Sequence, residues 1–243
     1  AANAVVEKGG ARMIELKNLS KTFTVGKGKT KTTTVALTDV SFEIADGKKV
    51  GLIGKSGEGK STIANVLCGA VAPSGGNAFK DGKALWDDKG KYDKLSGEKI
   101  QLVPQQPLLA LDPMQRAGNA VKEALVATKH AKRGNDVKQK ALRLFDIVGL
   151  ERTLWGRLPL HLSGGQAQRL VIARALATEP TLLISDESTS MLDPSTSQSI
   201  LDLYDRLVDT LGISVLFISH DVAMVKNFCD EIYLLKDGSV TKE

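Results

Sequence analysis

The sequence contains no unbroken apolar run approaching the ~20 residues that a bilayer-spanning helix requires, so work at a membrane would need spanning helices from another chain. Cysteine is scarce. Cys68 and Cys229 stand far apart without metal-ligand spacing, which argues against a disulfide framework and points to free buried thiols in a reducing compartment. Residues 1–12 lack the basic and apolar segments of a secretory signal and are read as a tail or cloning remnant ahead of Met13. Internal repeats and low-complexity tracts are lacking too. Only three histidines occur, so each position bears on the argument.

What is present is ordinary for a globular protein: 243 residues, 42% hydrophobic and 25% charged, enough for one large domain or a core with an inserted subdomain. The net charge of +5 is a mild excess, with lysines at Lys27, Lys29 and Lys31 and again between Lys80 and Lys99. A nucleotide site, an anionic membrane surface and a solvated basic face all fit that bias.

Taken in order, residues 14–19 form a strand candidate, 23–31 a hairpin with a mobile tip, and 32–37 and 40–44 two further strands before the Asp46-Gly47 turn. The apolar run Val50-Gly51-Leu52-Ile53 follows, then a loop and a helix through 63–67. A turn at 73–77, a strand at 77–81, a solvated polar loop at 87–91 and a buried strand ending at Val103-Pro104 come next. From 118 to about 150 the apolar spacing is helical, with a link at 132–135. Alternation then resumes: helix 165–177, strand 182–185, helix 196–210, strand 214–218, and a hairpin over 231–240 turning at Asp237-Gly238. Near-continuous apolar strands alternating with helices predict a mostly parallel sheet between helices. With a G-x-x-x-x-G-K-[ST] loop at Gly54 to Ser61 set between strand and helix, the fold expected is α/β, a phosphate-loop NTPase core with an antiparallel β subdomain and an inserted helical subdomain. One domain spans 13–243, with the nucleotide-binding core and β subdomain in 13–105 and 166–243 and the helical subdomain in 106–165.

The segment Gly54-Lys55-Ser56-Gly57-Glu58-Gly59-Lys60-Ser61-Thr62 has the G-x-x-x-x-G-K-[ST] spacing in strand-loop-helix context. Its small residues let backbone N–H groups turn inward around phosphate oxygens, and the following helix presents its positive end to the same anion. Gly54, Ser56, Gly57, Gly59, Lys60, Ser61 and Thr62 are therefore nucleotide-binding candidates. Lys60 adds a charge at the β- and γ-phosphates, and the Ser61 hydroxyl completes the shell of Mg²⁺. Asp186 and Glu187 follow an apolar strand, at the edge where ligands of an open parallel sheet bind. Asp186 is the expected Mg²⁺ ligand, and Glu187 the group that polarises attacking water. His220, at the end of the 214–218 strand, could sense the γ-phosphate. Gln105 could reach Mg²⁺ or the lytic water. Phe23 could stack on adenine or belong to the core.

Ser163, Gly164, Gly165 and Gln166, following Leu162, open a helix as a second anion-binding N-terminus, and one nucleotide does not need two such cradles on one chain. Here the sequence resembles the ATP-binding cassette (ABC) family. The phosphate loop, Gln105, the 162–166 signature, Asp186-Glu187, Ser190-Met191-Leu192-Asp193 and His220 stand in family order and spacing. The resemblance implies an ATPase using ATP and Mg²⁺ and a head-to-tail dimer with an identical or related ATPase subunit, in which Ser163 and Gly165 of one subunit close on the ATP of the other. It further implies that Asp193 links the two sites and that Phe23 stacks on adenine.

Gln105-Gln106-Pro107 with Leu111-Asp112-Pro113 is similar to the corresponding segment of oligopeptide, dipeptide and nickel importer ATPases, although Gln106 replaces an acid and Asp112 an asparagine. Ser188 stands where proline or alanine is usual, a change expected to be tolerated in a loop. The chain stops soon after the last hairpin, which leans toward a shorter nickel or metal-chelate type of subunit or toward a truncated chain. The implied role is an ATP-hydrolysing subunit on the cytoplasmic face of the inner membrane that powers import of peptides, nickel or metal chelates. Its implied partners are integral membrane permease subunits and, indirectly, an extracytoplasmic solute-binding protein; no nucleic acid is expected. The alternative is a soluble ABC ATPase of a cytosolic complex, although the long insertion of repair-type members and the second cassette of translation factors are missing.

Overall fold

The computed structural model describes residues 13–26, 31–128 and 135–243. The expected tail at 1–12, the hairpin tip at 27–30 and most of the link near 132–135 lie outside them. Two sheets organise the chain. The first is antiparallel, in the order β2 (Thr32–Ala45), β1 (Met13–Val25), β4 (Gly75–Lys80), β5 (Lys83–Ala84). The strands expected at 14–19, 32–37 and 40–44 are parts of two longer strands whose register shifts at irregularities. Asn18 and Asp39 adopt left-handed backbone there, and side chains complete the broken ladder: Ser41 Oγ accepts from the Asn18 amide and Ser20 Oγ from the Asp39 amide.

The second sheet has the order β10 (Ser239–Lys242), β9 (Glu231–Lys236), β3 (Lys49–Ile53), β8 (Ser214–Ile218), β7 (Leu182–Asp186), β6 (Ile100–Val103). All its neighbours are parallel except β9 and β10. Its central strands alternate between two cores, as the two-residue period of a strand demands. Leu52, Leu182, Ile184, Leu216 and Ile218 face the antiparallel sheet and α1 (Lys60–Leu67). Leu183, Val215 and Phe217 face the helices α3 (Ala117–Ala127), α4 (Asn135–Val148), α5 (Gly164–Leu176) and α6 (Pro194–Leu211). Burial on both faces is why these strands read as unbroken apolar runs.

Helices α3, α4 and α5 pack on one another, so the inserted helices share the core that carries the signature helix. Two short helices escaped the sequence reading. One is α2 (Lys94–Gly97), capped by Asp93; the other is α7 (Val222–Phe228), capped by Asp221, which packs on β3. Because β3, β6, β7 and β8 run parallel, the residues that follow them emerge at one edge of the sheet. Those residues are the phosphate loop, Gln105, the acid pair and Ser219-His220.

Candidate nucleotide site

The loop between β3 and α1 is held in shape by its own atoms. The Glu58 carboxylate accepts a hydrogen bond from the Lys55 amide at 2.8 Å, closing the turn from behind. Gly59 has φ 106, and a Cβ there would lie 2.6 Å from the Ala36 carbonyl of β2, so only glycine lets the loop lie against the antiparallel sheet. Lys60 is buried, and its ammonium donates to the carbonyls of Gly54 and Lys55 at 2.7 and 2.8 Å. A cleft of about 310 Å³ opens in front. Its walls are Phe23, Thr34 and Ala36 from the antiparallel sheet, Ser56, Gly57 and Gly59 to Thr62 from the loop and α1, and Glu187 opposite. Phe23 is half-exposed at the mouth, with the Lys21 ammonium 5.0 Å from its ring centre. It is part of the cleft rather than of either core.

Asp186 ends β7 and is hydrogen-bonded to Ser61. Burial raises its carboxyl above the ordinary range and the neighbouring Glu187 charge adds to this, while the Ser61 bond and the Lys60 charge work the other way. A half-desolvated carboxylate beside a hydroxyl is short of a cation. Two hard oxygen donors next to a phosphate cradle fit Mg²⁺, which takes few protein ligands and fills its octahedron with phosphate oxygens and water. Among the described residues no cluster of three or more His, Cys, Asp or Glu could hold a metal by itself.

Glu187 is left-handed, φ 48, a conformation that costs a non-glycine residue on the order of 1–3 kcal/mol. Its amide donates to the Ile218 carbonyl at 2.9 Å, and its own carbonyl accepts from the Ser190 amide at 3.1 Å and the Ser190 hydroxyl at 2.9 Å. The carboxylate is held from both sides. Gln105 Nε2 donates to one oxygen at 3.0 Å, and His220 Nδ1 lies 3.3 Å from the other. The Gln105 amide also reaches the Ser190 hydroxyl at 3.2 Å. Three strand ends thus converge on one carboxylate.

The signature lies apart from this cleft, and none of Ser163, Gly164, Gly165 and Gln166 lines it. Ser163 caps α5 in a reciprocal box: Gln166 N–H donates to Ser163 Oγ at 3.3 Å and Ser163 N–H to Gln166 Oε1 at 3.0 Å. Gly165 has a packing reason the sequence did not reveal, since a Cβ there would come within 2.5 Å of Thr196 Cγ2 on α6. Asp193 caps α6 by accepting from the Thr196 amide and from the Ser195 and Thr196 hydroxyls, and these bonds hold its carboxyl well below the usual carboxylate range. Ser188 lies in the turn after β7, and its hydroxyl is buried there, 2.5 Å from Ser185 Oγ. The Glu58 bond to the loop and the burial of Ser188 leave no periodic signal in the sequence.

Residues 37–190 match the family described as ABC transporter. The chain is 35% identical over 232 residues to the oligopeptide transport ATP-binding protein OppF of Haemophilus influenzae, covering 93% of this chain and 70% of that one. It is 35% identical over 228 residues to the dipeptide transport ATP-binding protein DppF of Escherichia coli, covering 93% and 68% respectively. A solved structure of the ATP-binding cassette MJ0796 as a dimer in a post-hydrolysis state, bound to ADP and Pi, superposes with a TM-score of 0.80 at 33% identity over 95% of this chain and 97% of that one. With its strand ends, loop and signature in this arrangement, the chain belongs to the ABC transporter family.

Proposed function

We propose that the protein is the ATP-hydrolysing subunit of a membrane importer, with small peptides as the favoured cargo class. The observation that carries the catalytic part is the Glu187 carboxylate, held at the mouth of the phosphate-loop cleft between Gln105 and His220. The cargo class rests on the peptide-transport relatives and the Gln105 to Pro113 segment. Nickel or a metal chelate is the narrower alternative cargo.

In this reading the loop amides and Lys60 bind the β- and γ-phosphates, exchanging the Gly54 and Lys55 carbonyls for phosphate oxygens as partners of the ammonium. Phe23 stacks on the base. Ser61 and Asp186, aided by Gln105, would hold Mg²⁺, which would supply positive charge beside the transferring phosphoryl group. Glu187 orients a water and draws off its proton as the water oxygen bonds to the γ-phosphorus and the bond to the bridging oxygen breaks, leaving ADP and phosphate. His220 contacts the γ-phosphate and, through Glu187, registers its departure.

The Ser163 to Gln166 helix start completes the site of a second subunit, identical or related, in a head-to-tail pair, with Asp193 near the join. No helix among the described residues is long and apolar enough to cross a membrane, so permease subunits are assigned that task. Their docking face is a hollow of about 500 Å³ lined by Gln101, Asp112, Gln115, Glu123 and Arg174 among others. Asp112 on its wall stands seven residues after Gln105, which donates to Glu187. These assignments place the protein peripherally on the cytoplasmic side of the inner membrane, with a solute-binding protein outside. Affinity capture of tagged Glu187→Gln protein with MgATP from detergent-solubilised membranes tests this: a multi-span permease is expected, and recovery of soluble partners alone would contradict the importer reading.

A further inference from the structure

We propose that Ser188 is a positioning residue for Glu187, acting through a buried hydroxyl cluster with Ser185 and Tyr204 that fixes the backbone behind the acid pair. The inference rests on Glu187 being the group that activates water. Ser185, Ser188 and Tyr204 are 0%, 2% and 0% exposed. Ser188 Oγ lies 2.5 Å from Ser185 Oγ on β7 and 3.4 Å from the Tyr204 hydroxyl on α6, and Tyr204 also interacts with Ser185. Hydroxyls this deeply buried must satisfy one another, since water cannot reach them. The cluster therefore couples three points of the fold: the last turn of strand before Asp186, the residue after Glu187, and the middle of α6.

The left-handed backbone of Glu187 gives that coupling a purpose. A non-glycine residue relaxes from φ 48 unless both neighbours are held. On its N-terminal side β7 pairs with β8 as far as Asp186 and Ile218, and the Glu187 amide itself bonds the Ile218 carbonyl. On its C-terminal side the next residue is Ser188, pinned by its hydroxyl. One residue further, the Thr189 carbonyl accepts from the buried Ser197 hydroxyl of α6 at 3.1 Å. With both sides fixed, the side chain of Glu187 has one exit, toward Gln105 and His220. Removing the Ser188 hydroxyl loosens the second side, which the bonds from Ser190 to the Glu187 carbonyl and from Ser197 to the Thr189 carbonyl then hold alone. The carboxylate then leaves its place near the attacking water, while Lys60, Ser61 and the loop amides that bind phosphate stay as they are.

The test compares Ser188→Ala, Tyr204→Phe, their combination and Glu187→Gln with the wild-type chain, reading kcat, the Kd for MgATP and the melting temperature. Ser188→Ala is expected to lower kcat by about tenfold, the scale of one lost hydrogen bond, with the MgATP Kd changed less than about twofold. Tyr204→Phe keeps the packing and loses one hydroxyl; it should lower kcat in the same direction, and the double variant should be no slower than Ser188→Ala, because both act through one cluster. Wild-type kcat in both single variants, with Glu187→Gln inactive, would show that the cluster only fills space and would overturn the proposal. Equal losses of kcat and of MgATP affinity would overturn it too, since they would report general loosening. Wild-type turnover in Glu187→Gln would instead remove the reading on which the proposal stands.

Discussion

Among the described residues Lys60 is the one charged side chain that is buried, an ammonium with two loop carbonyls for partners. Hydrogen bonds to a charged group contribute about 1.5–3 kcal/mol each, so Lys60→Ala should weaken MgATP binding roughly tenfold to hundredfold by calorimetric titration. Glu58 acts on the same loop from behind. Glu58→Ala frees the Lys55 amide and should raise the KM for ATP with little change in kcat, whereas a fall in kcat at constant KM would place Glu58 in the chemistry. The two thiols are inert by burial, which pushes both Cys68 and Cys229 up to about 12. Native protein at pH 8 should therefore react slowly with a disulfide reagent and quickly once unfolded. The same shift sets the sign of a pH effect: the native thiols keep protons that the unfolded chain releases above pH 9, so stability falls as pH rises from about 9 toward 12.

At the scale of the element, the two helix starts near the signature carry separable roles. Ser163→Ala breaks the reciprocal cap of α5 and should cost about 1 kcal/mol, or roughly 2–4 °C of melting temperature in a chain this long. Asp193→Asn keeps an acceptor for the Thr196 amide and should melt near wild type, while Asp193→Ala should fall by a similar few degrees. What was legible beforehand follows from the same physics. The phosphate loop and the acid pair could be read because each follows an apolar strand and breaks its run with glycines or charges at a fixed spacing. Helix α7 could not, since its seven residues span two turns and bury only Val225 and Phe228, too few to show a period. The hairpin strands were cut short at Leu19 and Leu37, where side chains rather than alternation carry the ladder past its irregularities. Ser188 is a turn residue whose buried hydroxyl faces that of Tyr204, sixteen residues away on another element, a contact no local pattern encodes.

On the scale of the whole molecule, the parallel order of β3, β8, β7 and β6 brings four separate segments to one edge, and Glu187 is where three of them meet. The signature helix shares its core with α3 and α4, so a second subunit closing on Ser163 would pull on the same body that carries the hollow near Arg174. In the proposed function hydrolysis falls to one carboxylate and motion to the helices around it. Its most direct test is release of labelled γ-phosphate by wild-type and Glu187→Gln protein side by side, with MgATP binding measured on both. Removing a group that positions and deprotonates the water should slow release by about a hundredfold or more, with binding intact. Equal release by the two proteins, or no release from wild type with MgATP bound, would contradict the assignment of Glu187.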